Sequence, residues 1–221
     1  MNALRALGGN FVSSLGSKRG SAASRVKNAR RRVSLFHEVR TMIKRIALLA
    51  LVASFVAVPS FAALKTGDAA PDFKAQASLG GSVFTFSLAD ALKKGPVVLY
   101  FYPAAFTTGC TIEAHDFAEA VDTYRSLGAT VIGVSHDDID TLNKFSVSEC
   151  RGKFAVAADG DQSIMKSYDA VLAIKPQYAN RVSYVIAPDG RVVYAYTSLN
   201  PEKHVENTLD ALRKWSAQQK K

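Results

Sequence analysis

Cysteine is scarce in this chain: 221 residues contain two, Cys110 and Cys150. At most one intramolecular disulfide is available. A folded part of this size and apolar content needs no such staple, so weight shifts to chemistry for at least one thiol. The Cys-x-x-Cys pair of a thiol–disulfide oxidoreductase is absent, because the third residue after Cys110 is Glu113. Metal-ligand spacing is missing too. His115, His136 and His204 are not set as His-x-x-x-His, and Asp137-Asp138 and Asp159-Gly160-Asp161 read as loop and cap acids rather than a calcium loop. No metal and no cofactor is expected. From Ala63 onward there is neither an internal repeat nor a low-complexity linker.

Charge is unevenly placed. The formal net charge is +9, yet residues 1–62 hold eleven of the 28 Lys and Arg against one of the 19 acids, Glu38. The remaining seventeen basic and eighteen acidic groups leave residues 63–221 near neutral, without a basic stripe, so nucleic-acid binding is not expected. Met42-Ile43-Lys44-Arg45, the uncharged run Ile46 to Val58 and the small residues Ser60 and Ala62 form the three regions of a signal peptide cut near Ala62. Thirteen apolar residues are short against the roughly 20 that cross a bilayer, which disfavours the rival reading, a retained anchor. Residues 1–41, rich in Arg, Ser, Gly and Asn, read as a disordered or over-extended start, with Met42 as the true initiator. A basic organelle-targeting extension is the competing reading. The expectation is an exported, periplasmic protein free of the membrane after cleavage.

Residues 63–221 read as one domain. Gly67 to Phe73 is extended and irregular, and Ser82 to Ser87 follows Gly80-Gly81 as half of a hairpin. Val97 to Tyr102 is apolar without alternation, the mark of a strand covered on both faces. Phe117, Val121 and Tyr124 keep helical spacing up to a stop at Gly128. Thr130 to Val134 is a buried strand; Ile139, Leu142 and Phe145 mark a helix ending by Gly152; Phe154 to Ala157 is a strand and Asp161 to Tyr168 a short helix. Ser183 to Ile186 and Arg191 to Tyr196 flank the turn Pro188-Asp189-Gly190. The last helix opens at Asn200-Pro201, with Val205, Leu209 and Leu212 as its buried stripe. This order predicts an α/β, thioredoxin-like fold with a mixed central sheet flanked by helices.

Ligands of open α/β sheets bind beyond the carboxyl ends of the strands. The strand ending at Tyr102 runs into Pro103-Ala104-Ala105-Phe106-Thr107-Thr108-Gly109-Cys110, which places a thiol in the first turn of a helix. Unpaired N–H groups and the positive end of the helix dipole favour thiolate over thiol there. The bland alternative, a small buried apolar residue, fits a Pro/Thr/Gly-rich strand-to-helix turn poorly.

At these residues the chain resembles a known family. Tyr100-Phe101-Tyr102-Pro103, Thr107, Gly109-Cys110-Thr111 and Glu113-Ala114 are similar to the peroxidatic motif of the peroxiredoxins, with the flanking pattern of the bacterioferritin-comigratory, or Q-type, branch. The resemblance spans about residues 65–215, including Ala70-Pro71-Asp72-Phe73 and Arg181 ahead of Asp189-Gly190. It implies a thiol-dependent peroxidase reducing hydrogen peroxide and organic hydroperoxides. Cys110 would become a sulfenic acid, Thr107 and Arg181 would offer donors to the peroxide oxygens, and Pro103 would cover the thiolate. Tyr100, Phe101 and Tyr102 read as core, and Phe106 as a possible wall of the peroxide pocket.

Two departures stand out. His115 occupies the position five after Cys110 where the branch often carries its resolving cysteine, and Thr108 stands where proline is common. His115 lies about 140° round the helix from Cys110 and reads as a surface or supporting residue. Resolution then falls to Cys150 or to an outside thiol. Eleven residues separate Cys150 from Ile139, nearly whole helical turns, so the two are expected on one face of the same helix, and Cys150 is either structural or resolving. The implied partners are a peroxide and an exported thiol reductant, a thioredoxin-like protein or a small thiol, for a monomer or weak homodimer. The competing functions are a redox sensor or holdase module and a thiol–disulfide oxidoreductase.

Overall fold

The structure, a computed structural model, describes residues 63–219; the expected signal peptide (42–62) and the segment before it (1–41) lie outside these residues. Among the described residues seven strands form one mixed sheet: β1 (Lys74–Leu79), β2 (Ser82–Ser87), β3 (Val97–Phe101), β4 (Thr130–Ser135), β5 (Ala155–Ala158), β6 (Val182–Ile186) and β7 (Val192–Thr197). Their spatial order is β2-β1-β5-β4-β3-β6-β7. The central strands β3, β4 and β5 run parallel, and the outer pairs are antiparallel. The expected α/β fold is therefore present, with the sheet flanked by α1 (Leu88–Leu92), α2 (Thr108–Ser126), α3 (Ile139–Ser148), α4 (Ser163–Ser167) and α5 (His204–Gln219). No helix among the described residues is long and apolar enough to cross a membrane.

The strand β3 shows why its sequence lacks alternation. Val97, Leu99 and Phe101 point into a core under α1 and α4, while Val98 and Tyr100 point into a second core under α2, α3 and α5. Both faces are covered, so every β3 residue is buried. In the second core Phe117 of α2 stacks on Tyr100 with centroids 4.3 Å apart. Truncating such a ring costs about 3–5 kcal/mol. After α2 ends at Ser126, Gly128 turns the chain back at φ +74°, a conformation that side chains with a Cβ rarely adopt.

Some expectations shift. The strand placed at Phe154 to Ala157 starts one residue later, and the helix expected from Asp161 contracts to Ser163–Ser167, because its N-cap Gln162 is left-handed (φ 63°) while the Asp161 carboxylate, ahead of it, accepts from the Ser163 N–H. On α5 the fully buried stripe is His204, Thr208 and Leu212, with Val205 and Leu209 half-buried beside it. Hydrophobicity missed this face because two of its members are polar and spend their hydrogen bonds internally. Thr208 Oγ1 donates to the His204 carbonyl (2.6 Å) and meets the Tyr124 hydroxyl (2.7 Å). Cys150 is also displaced: α3 stops at Ser148, and the cysteine follows it in a bend leading to left-handed Arg151 and Gly152. The helical-face argument linking it to Ile139 therefore fails. Cys150 is fully buried, whereas Ile139 is half-exposed.

Candidate active site

The loop from β3 to α2 carries Pro103, Phe106 and Thr107, and Asp137 holds it in place. One Asp137 carboxylate oxygen accepts from the Ala105 N–H (2.8 Å) and from the Ser135 hydroxyl at the end of β4 (2.7 Å). Within that loop Phe106 is left-handed (φ 61°), half its surface is exposed, and its ring sits edge-on to Phe145 at 5.2 Å. Pro103 is half-buried. Thr107 is the N-cap of α2 by position, but its hydroxyl donates to the Ala104 carbonyl at 2.9 Å instead of capping the helix. With its proton engaged in this way, the hydroxyl presents lone pairs to partners outside the loop.

Cys110 is the third residue of α2 and almost wholly buried. Arg181, the residue just before β6 and 71 residues away in sequence, reaches it. Its Nη2 donates to Cys110 Sγ at 3.4 Å, its Nε donates to the Leu199 carbonyl at 3.0 Å, and its Nη1 donates to Glu113 Oε2. The residue before Cys110 is glycine, and a larger one would press on this guanidinium. A Cβ at Gly109 would lie 3.1 Å from Arg181 Nη2. The guanidinium thus bridges α2 and the β7–α5 connection while lying against the sulfur. Burial works against its charge, but Glu113 and Cys110 outweigh that and hold Arg181 above its ordinary value.

Behind this cation lies a second layer to which the sequence reading gave no role, although Glu113 stood within the quoted motif. Glu113 is fully buried; burial pushes its carboxyl up to about 8 against the pull of Arg181. His204 Nδ1 lies 2.8 Å from Ser183 Oγ and 3.6 Å from Glu113 Oε1, and His204 Nε2 donates to the Ser198 carbonyl at 2.9 Å. Burial lowers His204 to about 4, with the Ser198 bond opposing. A signal for Glu113 existed: it sits on the stripe 110, 114, 117, where a carboxylate inside an apolar face requires a buried cation.

The other expected residues separate from this cluster. His115 is partly exposed and bonds Glu149 Oε2 at 2.9 Å, away from the sulfur. Asp138 caps α3 through the Thr141 N–H, and Asp159 accepts from the N–H groups of Ile164 and Met165. Cys150 and Cys110 are both free thiols in the same apolar core. Burial pushes the Cys150 thiol up, and Glu149 adds to it.

Comparison with known proteins gives a consistent picture. A family model described as AhpC/TSA matches residues 66–195. A putative chloroplastic peroxiredoxin Q of Oryza sativa subsp. indica is 34% identical over 148 residues, covering 66% of this chain and 66% of that one, so the match spans just under two thirds of the rice protein. A putative peroxiredoxin bcp of Helicobacter pylori is 30% identical over 154 residues, covering 67% of this chain and 98% of the relative. Among solved structures, peroxidoxin BcpB of Mycobacterium tuberculosis superposes with a TM-score of 0.62 at 29% identity, covering 68% of this chain and 97% of that one. A cysteine-to-serine variant of PrxQ from Xylella fastidiosa gives 0.62 at 25% identity, covering 70% and 99%.

Proposed function

We propose, from the premise that the chain belongs to the AhpC/TSA family and to its Q-type peroxiredoxin branch, that it is a thiol-dependent peroxidase with Cys110 as the peroxide-attacking residue. The observation that carries the assignment is the Arg181 Nη2 contact with Cys110 Sγ at the start of α2. A cation and a helix N-terminus converge on one sulfur, and both stabilise negative charge there.

The thiolate lone pair attacks the nearer peroxide oxygen. An S–O bond forms, the O–O bond breaks, and hydroxide or alkoxide departs, taking up a proton to become water or alcohol. Charge develops on the departing oxygen, so donors must already face it. Three of the five guanidinium N–H groups of Arg181 are engaged with Cys110, Glu113 and Leu199, leaving two for peroxide oxygens. Thr107 accepts from the peroxide O–H, since its own proton is held by Ala104. Pro103 and the loop around it limit water at the sulfur.

The sulfenic acid is then reduced by thiol. Cys150 is the candidate resolving residue, sharing a core with Cys110 and lying beside left-handed Arg151 and Gly152. Its complete burial favours a second reading, direct reduction by a thioredoxin-like protein or small thiol. Mass spectrometry after one equivalent of peroxide separates them: a Cys110–Cys150 crosslink supports the first, a persisting sulfenic acid the second. Many-fold consumption of peroxide with reductant present supports the enzyme over a sensor, which turns over once. Export to the periplasm and action as a monomer or weak homodimer belong to the same proposal. Export is supported by the Lys44-Arg45, Ile46–Val58 and Ser60–Ala62 pattern, and sequencing the mature N-terminus tests it.

A further inference from the structure

Glu113 Oε1 is buried without a hydrogen-bond partner among the described residues, and the nitrogen it faces is His204 Nδ1 at 3.6 Å. The protonation of that histidine is constrained from its far side. Nε2 lies 2.9 Å from the Ser198 carbonyl, which only accepts, so Nε2 carries a hydrogen. Nδ1 of a neutral His204 is then an acceptor. An ionised Glu113 would set two sets of lone pairs against each other in a site closed to water, an arrangement that a single proton on either atom relieves. Ser183 Oγ, 2.8 Å from Nδ1, can follow the proton, donating to Nδ1 or accepting from it.

We propose that Glu113 and His204 hold one proton between them behind Arg181, and that this proton is given up when the Cys110 sulfur loses its negative charge. This rests on the reading of Cys110 as the residue oxidised to a sulfenic acid. Charge bookkeeping supplies the coupling. With thiolate present, Arg181 is balanced by sulfur and the protonated pair is neutral. With neutral sulfenic acid present, Arg181 would be a lone buried cation unless the pair ionises. The step balances: thiolate and hydrogen peroxide give sulfenic acid and hydroxide, and hydroxide with the pair's proton gives water, leaving a Glu113 carboxylate against Arg181. The titratable and charged groups around the pair are Arg181, just ahead of β6 and donating to Glu113, Asp116 from α2, Tyr100 from β3 and the Tyr196 ring of β7, edge-on to His204 at 4.8 Å. Burial raises Glu113 and lowers His204, which puts the resting proton on the carboxyl. His204 is on this account a positioning residue, acting through Glu113 and Arg181.

Infrared difference spectroscopy on the full chain tests it, with one equivalent of hydrogen peroxide added and Cys110 followed in parallel by mass spectrometry. The expected result is loss of one protonated-carboxyl band and gain of carboxylate absorption in step with sulfenic acid formation. The lost band should be missing in Glu113→Gln and shifted in frequency in His204→Gln, whose amide can still donate to Ser198 but cannot hold the proton. Should Glu113→Gln fail to fold, the native difference spectrum and the His204→Gln shift decide the matter. Oxidation of Cys110 with no carboxyl band lost, or loss of the same band in Glu113→Gln, overturns the shared proton while leaving the peroxidase reading intact. A Cys110 that stays reduced overturns both.

Discussion

Cys110 and Cys150 occupy the same core and are shut from solvent to the same degree, yet their surroundings diverge. Around Cys110 the helix start, the Arg181 guanidinium and the Glu113–His204 layer bring polar groups into the interior. Cys150 has no cation bonded to its sulfur among the described residues; it shares the core with the buried Tyr100 and Tyr102, and burial drives its thiol towards the protonated form. Depth alone therefore says little about a cysteine's chemistry; the presence of a paired cation at the same depth does.

The comparison breaks most visibly if the wrong sulfur is the nucleophile. Cys110→Ser should abolish catalysed peroxide consumption measured with excess reductant, and a variant that still turned over would remove the distinction between the two thiols. Next in size, Arg181→Lys keeps the charge but loses the planar fork that reaches sulfur, carboxylate and carbonyl together. The second-order rate of Cys110 with peroxide, followed by stopped flow, should fall about 10²–10³-fold, as for loss of an aimed donor; a rate within the wild-type range would make the guanidinium contact incidental.

The pH dependence of stability sharpens the contrast, because the groups that titrate lie on the Cys110 side. Glu113 keeps its proton to about 8 in the fold but loses it near 4.5 when unfolded, so the folded state binds more protons between these values. Its contribution is fully present below 4.5 and is lost as pH rises towards 8, on the order of a few kcal/mol across that window. His204 works in the opposite sense: its folded value of about 4 lies below 6.5, so stability falls as pH drops from 6.5 to 4. Urea unfolding at a series of pH values should show the alkaline slope in the native chain and a flatter profile in Glu113→Gln. An identical slope in both would place the titrating group elsewhere. The smallest effect concerns Cys150. Replacing it with serine trades a buried, weakly polar sulfur for a hydroxyl that must find a partner in the core, and should cost about 1–3 kcal/mol in the same assay. No loss would mean that the new hydroxyl is satisfied in place, the Tyr100 and Tyr102 hydroxyls, unpartnered among the described residues, being the candidates.

Much of the molecule was readable from local patterns. The unbroken apolar run of β3, the helical spacing of Phe117, Val121 and Tyr124, and the turn at Asp189-Gly190 each state one element, since backbone period and side-chain burial are locally coupled. The α5 face and the end of α3 were less legible. His204 and Thr208 look like solvent-facing residues until their partners are known, and nothing near Cys150 announces that the helix stops at Ser148. The hydrogen bond from Thr107 to the Ala104 carbonyl was not legible either, because that carbonyl is positioned by the loop's bend.

From the order of residues alone follow the α/β architecture and a thiol seated where a strand turns into a helix, because both depend on neighbours a few positions apart. Which charges meet that thiol was settled by folding. Arg181 comes from 71 residues away, Glu113 pairs with it across 68, and Ser183 finds His204 across 21. Short-range rules carry no information about such encounters; they arise when sheet order and helix packing bring distant segments into one dry volume.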